Sequence, residues 1–188
     1  MSYLDLACRK SISLANRIKR CEYQTDTLCV GHNYKTYLFF ELPSSTCISR
    51  IEKAVLILFK IPVVVIETNL FAENNQYCVR PLFDYFSVYS NWYMPPRADR
   101  NFSVYYRDEA CMGYTEINIT TIAKAWFDGK VENKGLLLTG APNATPLIYA
   151  SSQYETEGMQ PVLRLTYEPL SVPLSLAQCT VKVDEMPQ

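Results

Sequence analysis

Histidine is nearly missing from this chain of 188 residues, and the shortage limits the chemistry that the chain can support. The single histidine, His32, lies in a Gly31-His32-Asn33 segment that is typical of a turn. A serine or cysteine nucleophile elsewhere would have to use this residue as its base. Cys29 and His32 are suitable metal ligands, but a structural zinc site needs a second pair, and none accompanies them. The sequence therefore favours neither a nucleophilic enzyme nor a metal site.

An excess of one charge and a long apolar run are also missing. Lysine and arginine total 18 against 19 acidic residues, so no basic field attracts phosphate backbones or anionic lipids. The most apolar run, residues 63–66, is far too short to span a bilayer. We therefore expect neither a nucleic-acid partner nor membrane insertion.

Motifs for nucleotide binding and for hydrolysis are missing as well. The sequence contains no P-loop, no G-x-G-x-x-G and no G-x-S-x-G. Asp108, Glu109 and Glu116 could supply an acid/base pair, but sequence spacing does not give the distance between carboxylates, and a solvated face is the interpretation we favour. The candidate ligands for a Ca²⁺ site are Asp26, Asp84 and Asp99, but their spacing matches no calcium-binding motif. We predict that the protein is not an enzyme and holds no cofactor or metal.

The beginning of the chain shows no basic segment followed by an apolar one, so no signal peptide is visible. We expect synthesis in the cytoplasm, where the 7 cysteines emerge as thiols. Their odd number leaves a thiol available to another molecule in an oxidising environment. The candidates for intermolecular disulfides are Cys8, Cys21 and Cys179.

Short stretches with the composition of β-strands, separated by proline and glycine, cover most of the chain. For residues 1–24 a strand is the prediction and a helix the alternative. Residues 91–101 predict a loop that carries Trp92. The other predicted strands are 36–42, 54–65, 77–79, 83–89, 103–106, 116–119, 136–138, 147–150 and 161–167.

One short helix is predicted near residues 120–128. Ile122, Ala125 and Trp126 share one helical face, so Trp126 is expected in the core. Thr120 or Thr121 is the predicted cap, and Gly129 ends the helix. Many short strands with a single helix predict an all-β fold, specifically an antiparallel β-sandwich of the jelly-roll type.

A C-terminal extension, residues 168–188, follows the predicted domain of residues 1–167. In it Ala177, Cys179, Val181 and Val183 alternate with polar residues, which predicts an extra strand. Two interpretations stay open. The strand either adds to the edge of its own sheet or pairs with the exposed edge of a neighbouring subunit.

The order of these motifs resembles a known family. The segments that carry the resemblance are Ile119-Thr120, Ala125-Trp126, Asn133-Lys134-Gly135-Leu136-Leu137-Leu138, Ala150-Ser151-Ser152 and Pro161-Val162-Leu163-Arg164-Leu165-Thr166-Tyr167. They are similar to the C-terminal half of the DNRLRE family of bacterial and archaeal surface modules, some of which bind carbohydrate. Where that family often has a Trp-rich V-T-W segment, this chain has only Trp92-Tyr93-Met94-Pro95-Pro96.

Two hypotheses about function follow. The first is a non-catalytic structural module that self-assembles, through strand, aromatic and disulfide contacts, into a surface layer, an appendage or a spore-coat-like structure on a cell or spore surface. The second, which the resemblance implies, is a carbohydrate-binding module. In it Trp92 and Tyr93 would stack on sugar rings of a polysaccharide while Arg97 bonds hydroxyl groups. The alternative for this loop is packing against the protein itself or a neighbour.

Overall fold

A computed structural model of the chain describes residues 1–16, 26–43, 48–62, 75–87, 89–109, 111–142 and 144–169. In this part the backbone forms antiparallel strands, one α-helix and a short 3-10 turn at Glu157–Met159. The helix, α1, is Thr120–Phe127. The strands are β1 Ser2–Ala15, β2 Thr27–Val30, β3 Tyr34–Phe40, β4 Ile48–Phe59, β5 Gln76–Pro81, β6 Val104–Arg107, β7 Tyr114–Asn118, β8 Leu136–Gly140, β9 Leu147–Ala150 and β10 Val162–Pro169.

Eight of these strands form one sheet in the order β6-β5-β8-β3-β1-β10-β4-β7, and β2 pairs with β9 in a separate ribbon. The sheet is nearly closed, like a barrel. Its edge strands, β6 and β7, are consecutive in the chain and joined by residues 108–113. The all-β prediction is confirmed. Because the pairing gives one large sheet, the finer prediction of a jelly-roll sandwich stays a prediction.

The long strand β1 connects the two halves of the sheet. Its first half pairs with β10, from Ser2 opposite Tyr167 to Ala7 opposite Val162. Its second half pairs with β3, and the register shifts between Cys8 and Lys10. An extra residue at such a shift bends a strand, which lets β1 leave one half and continue into the other.

The main core lies on the inner face of the sheet. Apolar side chains that alternate along the strands point into it, and α1 adds its apolar face. Full burial of one Leu or Ile side chain stabilises by about 1.5–3 kcal/mol. Large core side chains with almost no exposed surface are Leu38, Leu56, Tyr77, Leu138, Ile117, Ile122, Tyr149 and Leu163.

Helix α1 lies at the predicted position, and it buries Trp126, which is 7% exposed. The predicted cap is wrong, because the N-cap is Ile119 and lacks a side-chain cap. Asn118 Oδ1 instead accepts the Thr120 N–H at 3.1 Å. The end follows the prediction, since Gly129 has φ 69° and its N–H donates to the Trp126 carbonyl at 3.2 Å. No helix among the described residues has the length and apolar character needed to cross a membrane.

The strand predicted at residues 83–89 is wrong, because residues 83–87 and 89, the described part of this stretch, lie in a loop. Of the strand predicted over the helix in residues 1–24, the part Ser2–Ala15 is confirmed, and residues 17–24 lie outside the described residues. The last predicted strand is confirmed but continues to Pro169 and lies between β1 and β4, in the middle of the sheet. The predicted strand at 177–183 lies outside the described residues.

Candidate functional site

The residues from Leu82 to Ala98, of which residue 88 is not described, form a closed loop that we call the aromatic loop. An isolated β-bridge joins Leu82 to Ala98, and the Phe83 N–H donates to the Arg97 carbonyl at 2.8 Å. The Arg97 guanidinium donates two hydrogen bonds to Asp84, from Nε to Oδ2 at 2.9 Å and from Nη2 to Oδ1 at 3.0 Å. Bidentate pairs of this kind fix geometry as well as add energy. The base of the loop is therefore held by backbone and side-chain bonds.

The inner side of the aromatic loop covers the outer face of β1, β3 and β8. Phe86 and Trp92 pack there against a second buried cluster. The Phe86 ring centroid lies 5.6 Å from that of Tyr37. Lys35 Nζ lies 4.1 Å from the Trp92 ring centroid and donates to the Trp92 carbonyl at 3.1 Å. The members of the second cluster are Ile12, Leu14, Tyr37, Leu82 and Leu137.

The aromatic loop carries much of the exposed apolar surface of the described part. Ten large hydrophobic side chains are exposed among the described residues, and five of them belong to this loop: Phe83, Tyr85, Tyr89, Tyr93 and Met94. Their exposed fractions run from 46% for Phe83 to 87% for Tyr89. Concentrated apolar surface on a protein marks an interaction site more often than scattered residues do.

An Asn turn presents part of this surface. Asn91 Oδ1 accepts the N–H of Tyr93 at 3.0 Å and the N–H of Met94 at 2.9 Å. An Asn side chain bonded in this way holds the backbone in a turn. Trp92 is directed into the second cluster, while its neighbour Tyr93 is 71% exposed. The loop therefore has an anchored side and a free side.

The three predicted glycan-binding residues share the aromatic loop but differ in their surroundings. Trp92 is partly buried and contacts Lys35, so it serves as an anchor. Tyr93 offers an open ring, and Arg97 is engaged by Asp84 at the base. Sequence reasoning missed Tyr85 and Tyr89 as surface residues, because the aromatic density of residues 83–89 predicts a strand. It also missed Met94, although Met94 lies in the predicted loop at 91–101.

Of the predicted disulfide cysteines, Cys8 is 5% exposed, and Cys21 and Cys179 lie outside the described residues. Cys8 Sγ donates to the Lys10 carbonyl at 3.2 Å, and burial raises the pKa of its thiol to about 12. A thiol in this position does not meet another molecule unless β1 and β3 separate. The exposed thiol of the described part is Cys111, between β6 and β7.

The carboxylate Asp108 belongs to a buried polar network. Asp108 Oδ2 lies 2.8 Å from Lys60 Nζ, and the two side chains are 10% and 16% exposed. Thr115 Oγ1 donates to Asp108 Oδ1 at 2.7 Å and lies 2.9 Å from Tyr149 Oη. Burial raises the pKa of Tyr149, and the negative charge of Asp108 adds to this rise. This network ties β4, β7 and β9 together at the open side of the sheet.

The remaining candidates are dispersed. His32 is exposed in the turn after β2, and Glu116 is exposed on β7. Asp84 is paired with Arg97, and Asp99 is buried and accepts the Asn101 N–H at 2.8 Å. Among the described residues, no group of three or more His, Cys, Asp or Glu side chains is arranged to hold a metal ion.

Comparison with known proteins does not assign the chain. No protein-family model matches it, and no curated protein matches it either. The resemblance to the DNRLRE modules therefore stays a prediction, and the fold and the aromatic loop carry the argument about function.

Proposed function

We propose that this protein is a non-catalytic structural module that assembles with copies of itself into a surface layer, an appendage or a spore-coat-like structure. The observation that carries the proposal is the aromatic loop, which exposes five large apolar side chains and is anchored at its base and inner side. Aromatic side chains dominate the energetics of protein interfaces. Because these contacts already hold the base and the inner side of the loop, they reduce the conformational entropy that binding has to remove.

The proposal includes the finer fold prediction and the family resemblance. The bend in β1 divides the large sheet into two halves around one core, which supports a jelly-roll sandwich as the architecture. Membership of the DNRLRE modules would fit such an architecture. Both remain parts of the proposal.

Strand and disulfide contacts are the other proposed routes of assembly. Cys21 and Cys179 remain candidates for intermolecular disulfides, whereas the burial of Cys8 argues against its use in the folded protein. Cys111 joins the candidates because it is exposed. In an oxidising environment such bonds would reinforce an assembly that other contacts have formed.

Light scattering coupled to size-exclusion chromatography tests the proposal on the full chain, over a range of concentrations, with and without reductant. We expect the mass to rise with concentration and electron microscopy to show a lattice or a filament. The double substitution Tyr89→Ser and Tyr93→Ser should shift assembly to at least tenfold higher concentration, since each lost ring contact weakens association. The matched control is Tyr3→Ser, because Tyr3 is 76% exposed but lies on β1. A chain that stays monomeric under all conditions contradicts the proposal.

Polysaccharide binding is the second candidate function, and the exposed ring of Tyr93 favours it. Stacking contributes about 1 kcal/mol per ring beyond the buried area, so Trp92, Tyr93 and Arg97 would have to act together with neighbouring rings. Binding to a panel of polysaccharides that includes uronate polymers tests it. Tyr93→Ala should weaken binding severalfold, while Tyr105→Ala, on β6, should not. Trp92→Ala is a poor probe, because Trp92 anchors the loop.

A further inference from the structure

A groove between the beginning of β4 and the end of α1 has the features of a strand-docking site. Its cavity volume is about 250 Å³. The apolar part of the lining belongs to the edge of the main core, and the polar part is open to solvent. We call it the β4–α1 groove, and its lining residues are Ile48, Ser49, Arg50, Ile51, Lys124, Phe127 and Asp128.

One side of this groove is an unpaired strand edge. Strand β4 pairs with β10 from Ile48 to Ile57, but β7 pairs only with Val55–Phe59 on the other side. Among the described residues, no strand pairs with residues 48–53 on that side. The pairing resumes at Ala54, whose carbonyl accepts the Ile119 N–H at 2.9 Å and whose N–H donates to Thr120 Oγ1 at 3.0 Å. Six residues of open edge, about 20 Å long, are enough for one short strand.

We propose that residues 177–183 of a second copy of this chain occupy the β4–α1 groove as an added antiparallel strand. This inference rests on the proposed self-assembly and names one contact of it. Ala177, Cys179, Val181 and Val183 would face the apolar lining, while the polar residues between them face solvent.

The position where β10 ends favours a second copy as the source of the added strand. The described part of the chain ends at Pro169, which pairs with Ile48 at one end of the groove. A segment that turned from Pro169 into its own groove would enter at the Ile48 end and run parallel to β4. Parallel pairing is slightly weaker than antiparallel pairing. The segment of a second copy can enter in the antiparallel direction.

Residues 170–176 link Pro169 to Ala177 and reach at most about 25 Å, enough to leave one molecule and enter the next. Because the groove and the segment are different surfaces of the same chain, each copy can donate its segment to the next, which gives a ring or an open filament. Two copies that exchange segments reciprocally would instead close as a dimer. The proposed lattice or filament requires the first arrangement.

Binding of a labelled peptide with the sequence of residues 170–188 tests the groove. The receptor is the full chain with Cys179→Pro and Val181→Pro, because proline prevents its own segment from pairing. Fluorescence anisotropy in reductant should show saturable binding. Adding Ser49→Trp, which fills the groove from an exposed position, should weaken binding at least tenfold, while the control Gln153→Trp should leave it unchanged. Absence of saturable binding, or binding insensitive to Ser49→Trp, overturns the inference.

A mixing experiment identifies the source of the strand. The proline variant has a groove but no segment, and the Ser49→Trp variant has a segment but no groove. Native mass spectrometry should show a 1:1 pair in the mixture that neither variant forms alone. Peptide binding without such a pair would mean that the groove takes its own segment, which overturns the proposal. If the proline variant assembles as the unmodified chain does, the inference fails while the proposed self-assembly stands.

Discussion

Two residues, Asp84 and Arg97, hold the base of the aromatic loop, and their pairing makes the loop sensitive to acid. Hydrogen bonds from Arg97 lower the pKa of Asp84 from 3.8 to about 2. A carboxylate whose pKa is lowered in the folded protein stabilises the loop at every pH above its ordinary pKa. This stabilisation is lost as the pH falls through the lowered pKa. Both side chains are solvent-exposed, so the effect on the free energy of unfolding is screened and the change is local.

We therefore expect the aromatic loop to loosen between about pH 4 and pH 2 while the sheet stays folded. Acrylamide quenching of Trp92 measures this in a Trp126→Phe background, since the chain has 2 tryptophans. Asp84→Asn should give increased quenching already at pH 7. The control is Asp5→Asn, which removes a similar pair with Arg164 on β1 and β10 and should leave Trp92 unchanged. Quenching that is the same in Asp84→Asn and the unmodified chain would contradict the prediction.

Cys8 and Cys111 should differ strongly in reactivity. The thiolate is the reactive form, and burial raises the pKa of Cys8 to about 12, so little thiolate forms at pH 8. Cys111 is exposed. Iodoacetamide treatment of the native protein, followed by peptide mass mapping, should label Cys111 within minutes and Cys8 only after denaturant is added. Equal labelling of the two in the native protein would show that β1 and β3 separate readily.

At the scale of elements, the β2–β9 ribbon is joined to β8 by a close approach of two glycines, Gly31 directly after β2 and Gly140 at the end of β8. The Gly140 N–H donates to the Gly31 carbonyl at 3.0 Å, and a Cβ added at residue 140 would lie 2.7 Å from Gly31 Cα. Gly140→Ala should therefore lower the free energy of unfolding by about 1–3 kcal/mol through overpacking. Each kcal/mol lost should lower Tm by roughly 2–4 °C. Calorimetry measures this. Gly113→Ala is the matched control, because nothing lies within 4 Å of its added Cβ.

The network around Asp108 links three elements and should contribute strongly to stability. Asp108→Asn removes the charged partner of Lys60, whose Nζ keeps only its hydrogen bond to the Glu109 carbonyl, and the loss should cost about 1–3 kcal/mol. Urea unfolding should show a lower midpoint. The control is Lys130→Met, which removes the exposed pair with Asp128 and should cost less than about 1 kcal/mol. Similar losses in both variants would mean that Asp108 is hydrated in solution.

At the scale of the whole molecule, the sequence predicts elements better than their arrangement. Helix α1 was predictable because Ile122, Ala125 and Trp126 repeat with the helical period and Gly129 follows. The loop at residues 83–89 was not, because its aromatic residues have strand propensity and only contacts with distant β1 and β3 decide their conformation. The same limit applies to the site. Trp92 and Tyr93 are neighbours in sequence, and only the packed structure shows that one is an anchor and the other is exposed.

The pairing of β1 also has a consequence for how the protein is made. Ser2 is synthesised well before its partner in the sheet, Tyr167. The first half of β1 therefore stays without its neighbour until β10 has been synthesised, and pairings between such distant residues form slowly. During translation the nascent chain carries an unmatched strand edge that a chaperone or another nascent copy can bind.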